Sequence, residues 1–478
     1  MKIAVIGAGP AGMTAAYELS KQLGKKVTSL HVFEKSDRVG GLSKSIELWD
    51  QRVDLGPHRF FSHDTKINAL WLEVVKDRYD IVDRQTRIYY KKRFFDYPIK
   101  AFNALRNLGI FEAARCVLSY LWERMNPTRD TSSFEGWVTS RFGKRLYTIF
   151  FKTYSEKLWG IACNELDSDF ASQRIKKLSL LEAIKNAVFQ GKGNKHATLV
   201  DQFAYPIGGT GSVYEAMQEQ IQERGGVVRT NTGVEKVIAS GGSVQSLQLE
   251  SGEIVAYDHI ISTMPISLLV ERLPEVPDSI REQAERLTFR NTILVYIRVD
   301  QTDLFSDQWL YIHESSVNVG RVTNFRNWLP SVYGDSGASI LCMEYWCYFE
   351  DELWNKDEKE LIKMAGNEIV RTGLVKEGDA KAGHVVRLPR CYPVYFSGYR
   401  EIMKPVEAYL NSLTGLHAIG RYGAYKYNNQ DHSILMGMRV SENILDNAEH
   451  DLWAINTDYE VYQESSVITK TGLVTKGP

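Results

Sequence analysis

Residues 2–12 read KIAVIGAGPAG: a short apolar run stops at Gly7, and Gly9 and Gly12 follow before a helical pattern, MTAAYELSKQL, begins. Few folds accommodate that order. A continuous apolar run of this length is a buried parallel strand. Gly7 permits the tight turn out of it, Gly9 lets backbone approach a pyrophosphate, and Gly12 lets helix and strand pack closely. The helix N-terminus then faces the phosphates. A second strand, SLHVFE, ends at Glu34, 22 residues beyond Gly12, where a carboxylate accepts hydrogen bonds from an adenosine ribose. Strand, helix and acid in register predict a βαβ dinucleotide-binding unit and an α/β fold class.

At 478 residues the chain needs two or three domains. A formal net charge of −1 provides no global basic field, which argues against nucleic acid as a partner. Aromatic content of 11%, with 25 Tyr and 10 Trp, suits a ring- or sugar-binding site as well as core filling. The five cysteines, Cys116, Cys163, Cys342, Cys347 and Cys391, are odd in number and form no CxxC, so neither a disulfide framework nor a metal site is expected. A strand beginning at residue 2 leaves no room for a signal peptide, and no apolar run is long enough to span a membrane. The expected location is cytoplasmic.

Residues 101–199 change to long amphipathic patterns, IFEAARCVLSYLWERM and GKRLYTIFFKTYSEKLW, and read as a helical substrate domain. Residues 266–389 contain NTILVYIRV, QWLYIHE, GRVTNF and SILCMEYWCY, an antiparallel sheet domain. Residues 1–100, 200–265 and 390–450 then make up a discontinuous nucleotide-binding domain, and 460–478 a mobile tail.

After Glu34 the chain continues KSDRVGGLSKSI. This resembles the ExxxRxGG continuation of the glutathione-reductase and amine-oxidase class of FAD proteins. The resemblance implies that Arg38, Gly40, Gly41 and Leu42 run along the FAD diphosphate, and that Val234 contacts adenine. HIISTMP is similar to that class's second FAD-contacting strand. There is no second GxGxxG, so FAD is the expected cofactor and no separate NADPH domain is encoded.

Five ordered segments narrow the chemistry: DLGPHRFFSH, YSEKLWG, YPIGGTGSVYEAM, QWLYIHESSVNVGRVTNFRNWLP and GRYGAYKYNNQDHSILMG. Together they resemble the UDP-galactopyranose mutase family, nearer its eukaryotic-type branch. That family interconverts pyranose and furanose forms of a nucleotide-diphosphate sugar without net redox. The resemblance implies that reduced FAD, primed by NAD(P)H or another reductant, presents N5 as nucleophile to the anomeric carbon. It implies catalytic roles for Arg174, Arg321 and His58. Arg174 lies 15 residues after Trp159 and Arg321 lies 10 after Tyr311, the separations of the family's diphosphate-clamping arginines. Forked guanidiniums suit a departing diphosphate in a way Lys does not. His58 is expected beside the flavin. Tyr154 would contact the nucleobase, Trp159 the sugar, and Tyr311, Trp328 and Tyr427 the diphosphate or sugar, with Tyr392 or Tyr395 as a further contact. Gly420, Arg421, Asn429 and Gln430 would lie near the isoalloxazine. Most related flavoproteins carry Gly-Asp where this chain has Gly420-Arg421, and an Arg there favours the anionic reduced flavin.

Two departures leave the sugar and the base open. The stretch after FFDYPI lacks the family's polar QNN-like run, and the chain between Tyr427 and NNQDHS is two residues shorter. Trp328 also replaces a Tyr. The competing reading is an oxidase or desaturase of the amine-oxidase or protoporphyrinogen-oxidase class, which shares the FAD scaffold and has no need of paired arginines for a diphosphate.

Overall fold

The computed structural model describes residues 1–97, 99, 101–174, 202–455 and 465–476. They form two compact units. The first comprises Met1–Val82, Phe203–Thr288 and Tyr399–Pro478. Its centre is a five-stranded parallel sheet in the order Leu416–Ala418, His259–Ser262, Lys2–Ile6, Ser29–Phe33, Val227–Arg229. Ile3, Ala4 and Val5 are fully buried, so the strand has no solvated face and its sequence is apolar throughout. Helix Pro10–Ser20 packs on the closing helix Gln430–Asp446 at Gly437, where a Cβ would come within 2.6 Å of the Ala11 carbonyl oxygen. A small antiparallel sheet, Val234–Ser240 with Ser243–Leu249 and Ile254–Ala256, and two hairpins are further β-structure of this unit.

The second unit comprises Asp83–Gln202 and Phe289–Gly398. Its seven-stranded sheet runs Ala380–Pro393, Phe289–Val299, Ser339–Cys347, Arg321–Asn324, Trp309–Ile312, Thr86–Tyr90, Arg93–Asp96. The period of two divides its faces. Ile293, Val295, Leu310, Ile312, Val322, Leu341, Met343 and Tyr345 join one apolar cluster, which Leu361, Ala365 and Ile369 of helix Glu358–Thr372 complete. The intervening residues Tyr311, Arg321 and Glu344 therefore point the other way.

Three expectations are corrected here. Residues 86–96 belong to the seven-stranded sheet, because Thr86–Tyr90 pairs in parallel with Trp309–Ile312. No local pattern announces a pairing over that sequence distance. The helical block and the antiparallel sheet form one compact unit instead of two domains, with residues 175–199 of the block outside the described residues. The expected mobile tail, 460–478, contains regular structure: within its described residues Ser465–Thr469 and Gly472–Lys476 form an antiparallel hairpin. It is held by Ser466 N donating to the His63 carbonyl at 2.9 Å, Asn68 Nδ2 to Ser466 Oγ at 3.0 Å, and Tyr79 OH to the Thr469 carbonyl at 2.8 Å. Among the described residues no helix is long and apolar enough to cross a membrane.

A buried carboxylate ties the DLGPHR loop to the GGTG turn. Asp54, at 0% exposure, accepts from Ser45 Oγ (2.6 Å), Tyr205 OH (2.6 Å) and Thr210 N (3.0 Å). Thr210 Oγ1 in turn donates to the His58 carbonyl at 2.5 Å. Gly209, at φ +88°, has no room for a side chain, since a Cβ would lie 2.9 Å from Asp54 Oδ1. Burial raises the Asp54 pKa from 3.8 to about 6 despite these donors. A carboxyl held above its unfolded value stabilises the fold while protonated. That contribution is complete below about pH 4 and is lost as the pH rises through 6. A shift of about two units corresponds to roughly 3 kcal/mol. In denaturant titrations from pH 4 to 7, wild type should therefore lose roughly 3 kcal/mol relative to Asp54→Asn. A difference that stays flat with pH would place the titration elsewhere.

Candidate active site

The expected cofactor residues all fall on the first unit. Helix Pro10–Ser20 opens on Gly9 with Pro at its first position, no side-chain cap and no acid in its first turn, so its N–H groups and positive end suit an anion. Gly7 (φ +93°) has a protein reason to be glycine, as a Cβ would lie 2.2 Å from Thr263 Oγ1. Gly12 has another, with the Gly7 carbonyl oxygen 2.0 Å from its would-be Cβ. Gly9 has none: at φ −77° its Cβ would meet only Gly41 Cα, at 3.8 Å. What Gly9 accommodates is a group lying over the loop, as a pyrophosphate does. The second glycine pair, Gly40 (φ +106°) and Gly41 (φ +57°), packs against the first loop, with Gly40 N donating to the Ala8 carbonyl at 2.7 Å. These residues fit the FAD diphosphate.

Glu34 accepts from Ala8 N at 2.8 Å and from Ser36 N and Oγ at 2.9 and 2.6 Å, so it braces the first loop. Arg38 is exposed and lies beside Asp37, and Leu42 sits in the short turn Gly41–Ser43. Val234 is buried at the start of its strand. His58 is half-buried, with its carbonyl held by Thr210 as above. Gln430 holds the next residue: its Nε2 donates to the Arg59 carbonyl at 3.2 Å while its Oε1 accepts from Tyr214 OH at 2.8 Å. Gln430 is thus a strut for the histidine loop. Gly420 N donates to Met436 Sδ, fixing the turn that carries Arg421. Arg421 lies over the Tyr427 ring, 4.5 Å from its centroid, and donates to the Asn428 carbonyl at 2.7 Å. Asn429 is exposed at the N-cap of the closing helix.

The expected substrate residues other than Tyr427 fall on the second unit. Tyr311, Arg321 and Glu344 occupy one cross-strand row, Tyr311 opposite Arg321 and Arg321 opposite Glu344. Arg321 donates from Nε and Nη2 to both oxygens of Glu344 at 2.5 Å, and Nη2 lies 3.5 Å from Tyr392 OH. The Glu344 side chain is 2% exposed and that of Arg321 16%. The pair holds Arg321 firmly charged even though burial alone would lower its pKa.

Aromatics surround this row. Tyr154 stacks on His313 (5.2 Å) and meets Tyr311 (5.4 Å) and Trp346 (5.6 Å) edge-on. Tyr392 meets Trp159 and Trp346 edge-on at 6.2 and 6.3 Å. A π-helical turn, Thr148–Lys152, precedes Tyr154, a local irregularity frequent near functional sites. Burial lowers the His313 pKa to about 3, so it is a neutral platform. Lys157, the Lys of YSEKLWG, donates to the carbonyls of Glu314 and Val319 at 2.5 and 3.2 Å and so braces the turn after the Tyr311 strand. Trp159 is fully buried against Phe170. Phe170 lies one turn before Arg174 on helix Ser168–Arg174, and the Arg174 side chain is outside the described residues. Trp328 stacks on Trp309 and lies tilted against Phe325, and of the two alternatives Tyr395 is buried while Tyr392 borders the Arg321 row. Sequence reasoning missed Glu344 and Trp346, which follow from strand register, and His313, which comes just after strand Trp309–Ile312 and stacks on Tyr154.

The flavin containing amine oxidoreductase family model matches residues 10–445. The crystal structure of reduced UDP-galactopyranose mutase superimposes with a TM-score of 0.84 over 96% of each chain at 24% identity, a likeness of fold. Coproporphyrinogen III oxidase of Staphylococcus aureus is 21% identical over 451 residues, 85% of this chain and 91% of its own length. A Klebsiella pneumoniae protein named "Probable UDP-galactopyranose mutase" is 25% identical over 199 residues, 40% of this chain and 49% of its own. With a glycine cradle suited to a dinucleotide and a family match over most of its length, the chain belongs to the flavin containing amine oxidoreductases, and its cofactor is FAD.

Proposed function

We propose that this flavoenzyme is a mutase interconverting pyranose and furanose forms of a nucleotide-diphosphate sugar of the UDP-galactose type. The observation that carries the reading is the Tyr311–Arg321–Glu344 row, a guanidinium oriented by a buried carboxylate and bordered by phenol hydroxyls. Such a row suits a polyanionic leaving group. When bound, reduced FAD supplies an electron-rich N5 as nucleophile toward the anomeric carbon.

In this reading the protein's own residues manage charge. Arg321 and Arg174 neutralise the departing diphosphate. Glu344 cancels part of the Arg321 charge at rest and fixes the plane of its fork, so little reorganisation is needed as anionic charge develops. Tyr311 and Tyr392 donate hydroxyl hydrogen bonds to phosphate or sugar oxygens, and Tyr154 offers its ring to the base. Arg421 favours the anionic reduced flavin, and His58 holds a flavin-side position through the Asp54–Thr210 chain.

A second reading has its own support, the S. aureus coproporphyrinogen III oxidase aligned over nearly its full length. Stoichiometry separates the two. Once reduced by dithionite under anaerobic conditions, a mutase turns over UDP-galactopyranose many times without further reductant. Steady oxygen consumption with a porphyrinogen, and no furanose product by chromatography, would establish the oxidase instead.

Arg321→Lys keeps Glu344 paired with a cation and loses only the fork. Its turnover should fall about 10²-fold, as for loss of one oriented transition-state donor, with flavin absorbance unchanged. Arg174→Ala should likewise abolish turnover and leave the protein yellow. An undiminished rate of furanose formation in either variant removes that residue from the mechanism.

A further inference from the structure

Helix Ile110–Met125 presents its apolar side outward. Ile110, Phe111, Leu118, Trp122 and Met125 are 86, 88, 65, 64 and 70% exposed, and Val117 and Leu121 are also exposed. At 100° per residue these seven side chains form one continuous stripe. The buried residues Cys116, Tyr120 and Glu123 lie on the opposite side. Among the described residues none covers the stripe. Monomeric soluble surfaces rarely leave so large an apolar patch without a use.

Charge identifies the occupant. On the helical wheel Arg115 and Arg124 flank the stripe, one on each edge, and both are exposed. The exposed turn Lys91–Lys92–Arg93 lies close to the start of the helix, where Lys91 acts electrostatically on Glu112. Residues 91–129 hold eight Lys or Arg against three Asp or Glu, in a chain of net charge −1. Of those acids, Glu112 is already engaged by Arg145 and Arg115, and Glu123 is buried and accepts from Thr128 N. A two-fold contact between copies would bring this basic rim against itself. An anionic bilayer complements both parts, since acyl chains receive the Phe, Leu and Trp side chains and headgroups pair with the flanking cations.

We propose that helix Ile110–Met125 docks the protein on anionic lipid membranes, lying in the interface without spanning it. This is independent of the substrate reading. The test is co-sedimentation of the full-length holoenzyme with phosphatidylcholine vesicles containing one quarter phosphatidylglycerol, against pure phosphatidylcholine. Binding to the anionic vesicles should weaken with salt and exceed that to the neutral ones. Phe111→Ser/Trp122→Ser should reduce it by at least about tenfold, because both losses remove apolar burial. Arg115→Gln/Arg124→Gln should reduce binding to anionic vesicles only. Unchanged flavin content and melting temperature establish that these variants are folded. No vesicle binding at low salt, or equal binding by the Ser double variant, overturns the proposal. So does a dimer that the same Ser variant dissociates in sedimentation velocity while the wild type ignores vesicles, which assigns the stripe to a second copy.

Discussion

The nucleotide unit depends on two loops whose backbones touch because neither carries side chains at the contact. Gly9 Cα would lie 2.9 Å from a Cβ at Gly41, and Gly40 N reaches the Ala8 carbonyl. Glu34 braces the same point by accepting from Ala8 N. Once that contact forms, the start of helix Pro10–Ser20 is fixed beside the central strand, and the closing helix can pack on it through Gly437. Strand, loop and helix are therefore one mechanical element. A side chain at Gly41 would separate the loops before it reached any cofactor.

The second unit has a different anchor. A lone buried guanidinium is costly to desolvate, and so is a lone buried carboxylate, but a forked pair offsets much of both penalties. Arg321 and Glu344 are that pair, and strand register puts them opposite each other. Removing Glu344 would leave a cation in an aromatic surround; removing Arg321 would leave an uncompensated carboxylate, an error on the order of 3–5 kcal/mol. The pair also explains how a positively charged group is held in a largely apolar place, with its orientation set by the sheet.

What could be read in advance follows from how local each signal is. Gly7, Gly9, Gly12 and Glu34 lie within one βαβ unit, so their spacing suffices. Tyr154 and Trp159 share one helix, and Tyr311 and Arg321 share one hairpin, so their grouping was also legible. Glu344 was not, because a lone Glu inside SILCMEYWCY gains meaning only when that strand pairs with Arg321–Asn324. Asp54 lies within the DLGPHRFFSH segment, but its partners Ser45, Tyr205 and Thr210 come from separate stretches of chain. The C-terminal hairpin was misread because Thr, Ser and Gly are common in irregular tails, while VIT and LVT alternate well enough to pair. Residues 86–96 were misassigned because the strand they join lies some 220 positions later.

Helix Ile110–Met125 is a case where the pattern was recognised and its usual meaning fails. An amphipathic stripe normally faces the core. Here the core side consists of Cys116, Tyr120 and Glu123, and the broad apolar stripe faces outward. The fold does not require the stripe, since the helix is retained by its narrower face and by Arg145 reaching Glu112. Where local preference and observed burial disagree this consistently along a helix, folding stability does not account for the residues. Among the described residues none covers the band, and whatever does must tolerate arginines at both of its edges. That requirement selects among occupants more sharply than hydrophobicity alone, because a protein partner needs matching acids at fixed positions whereas a fluid anionic surface supplies them wherever the cations fall.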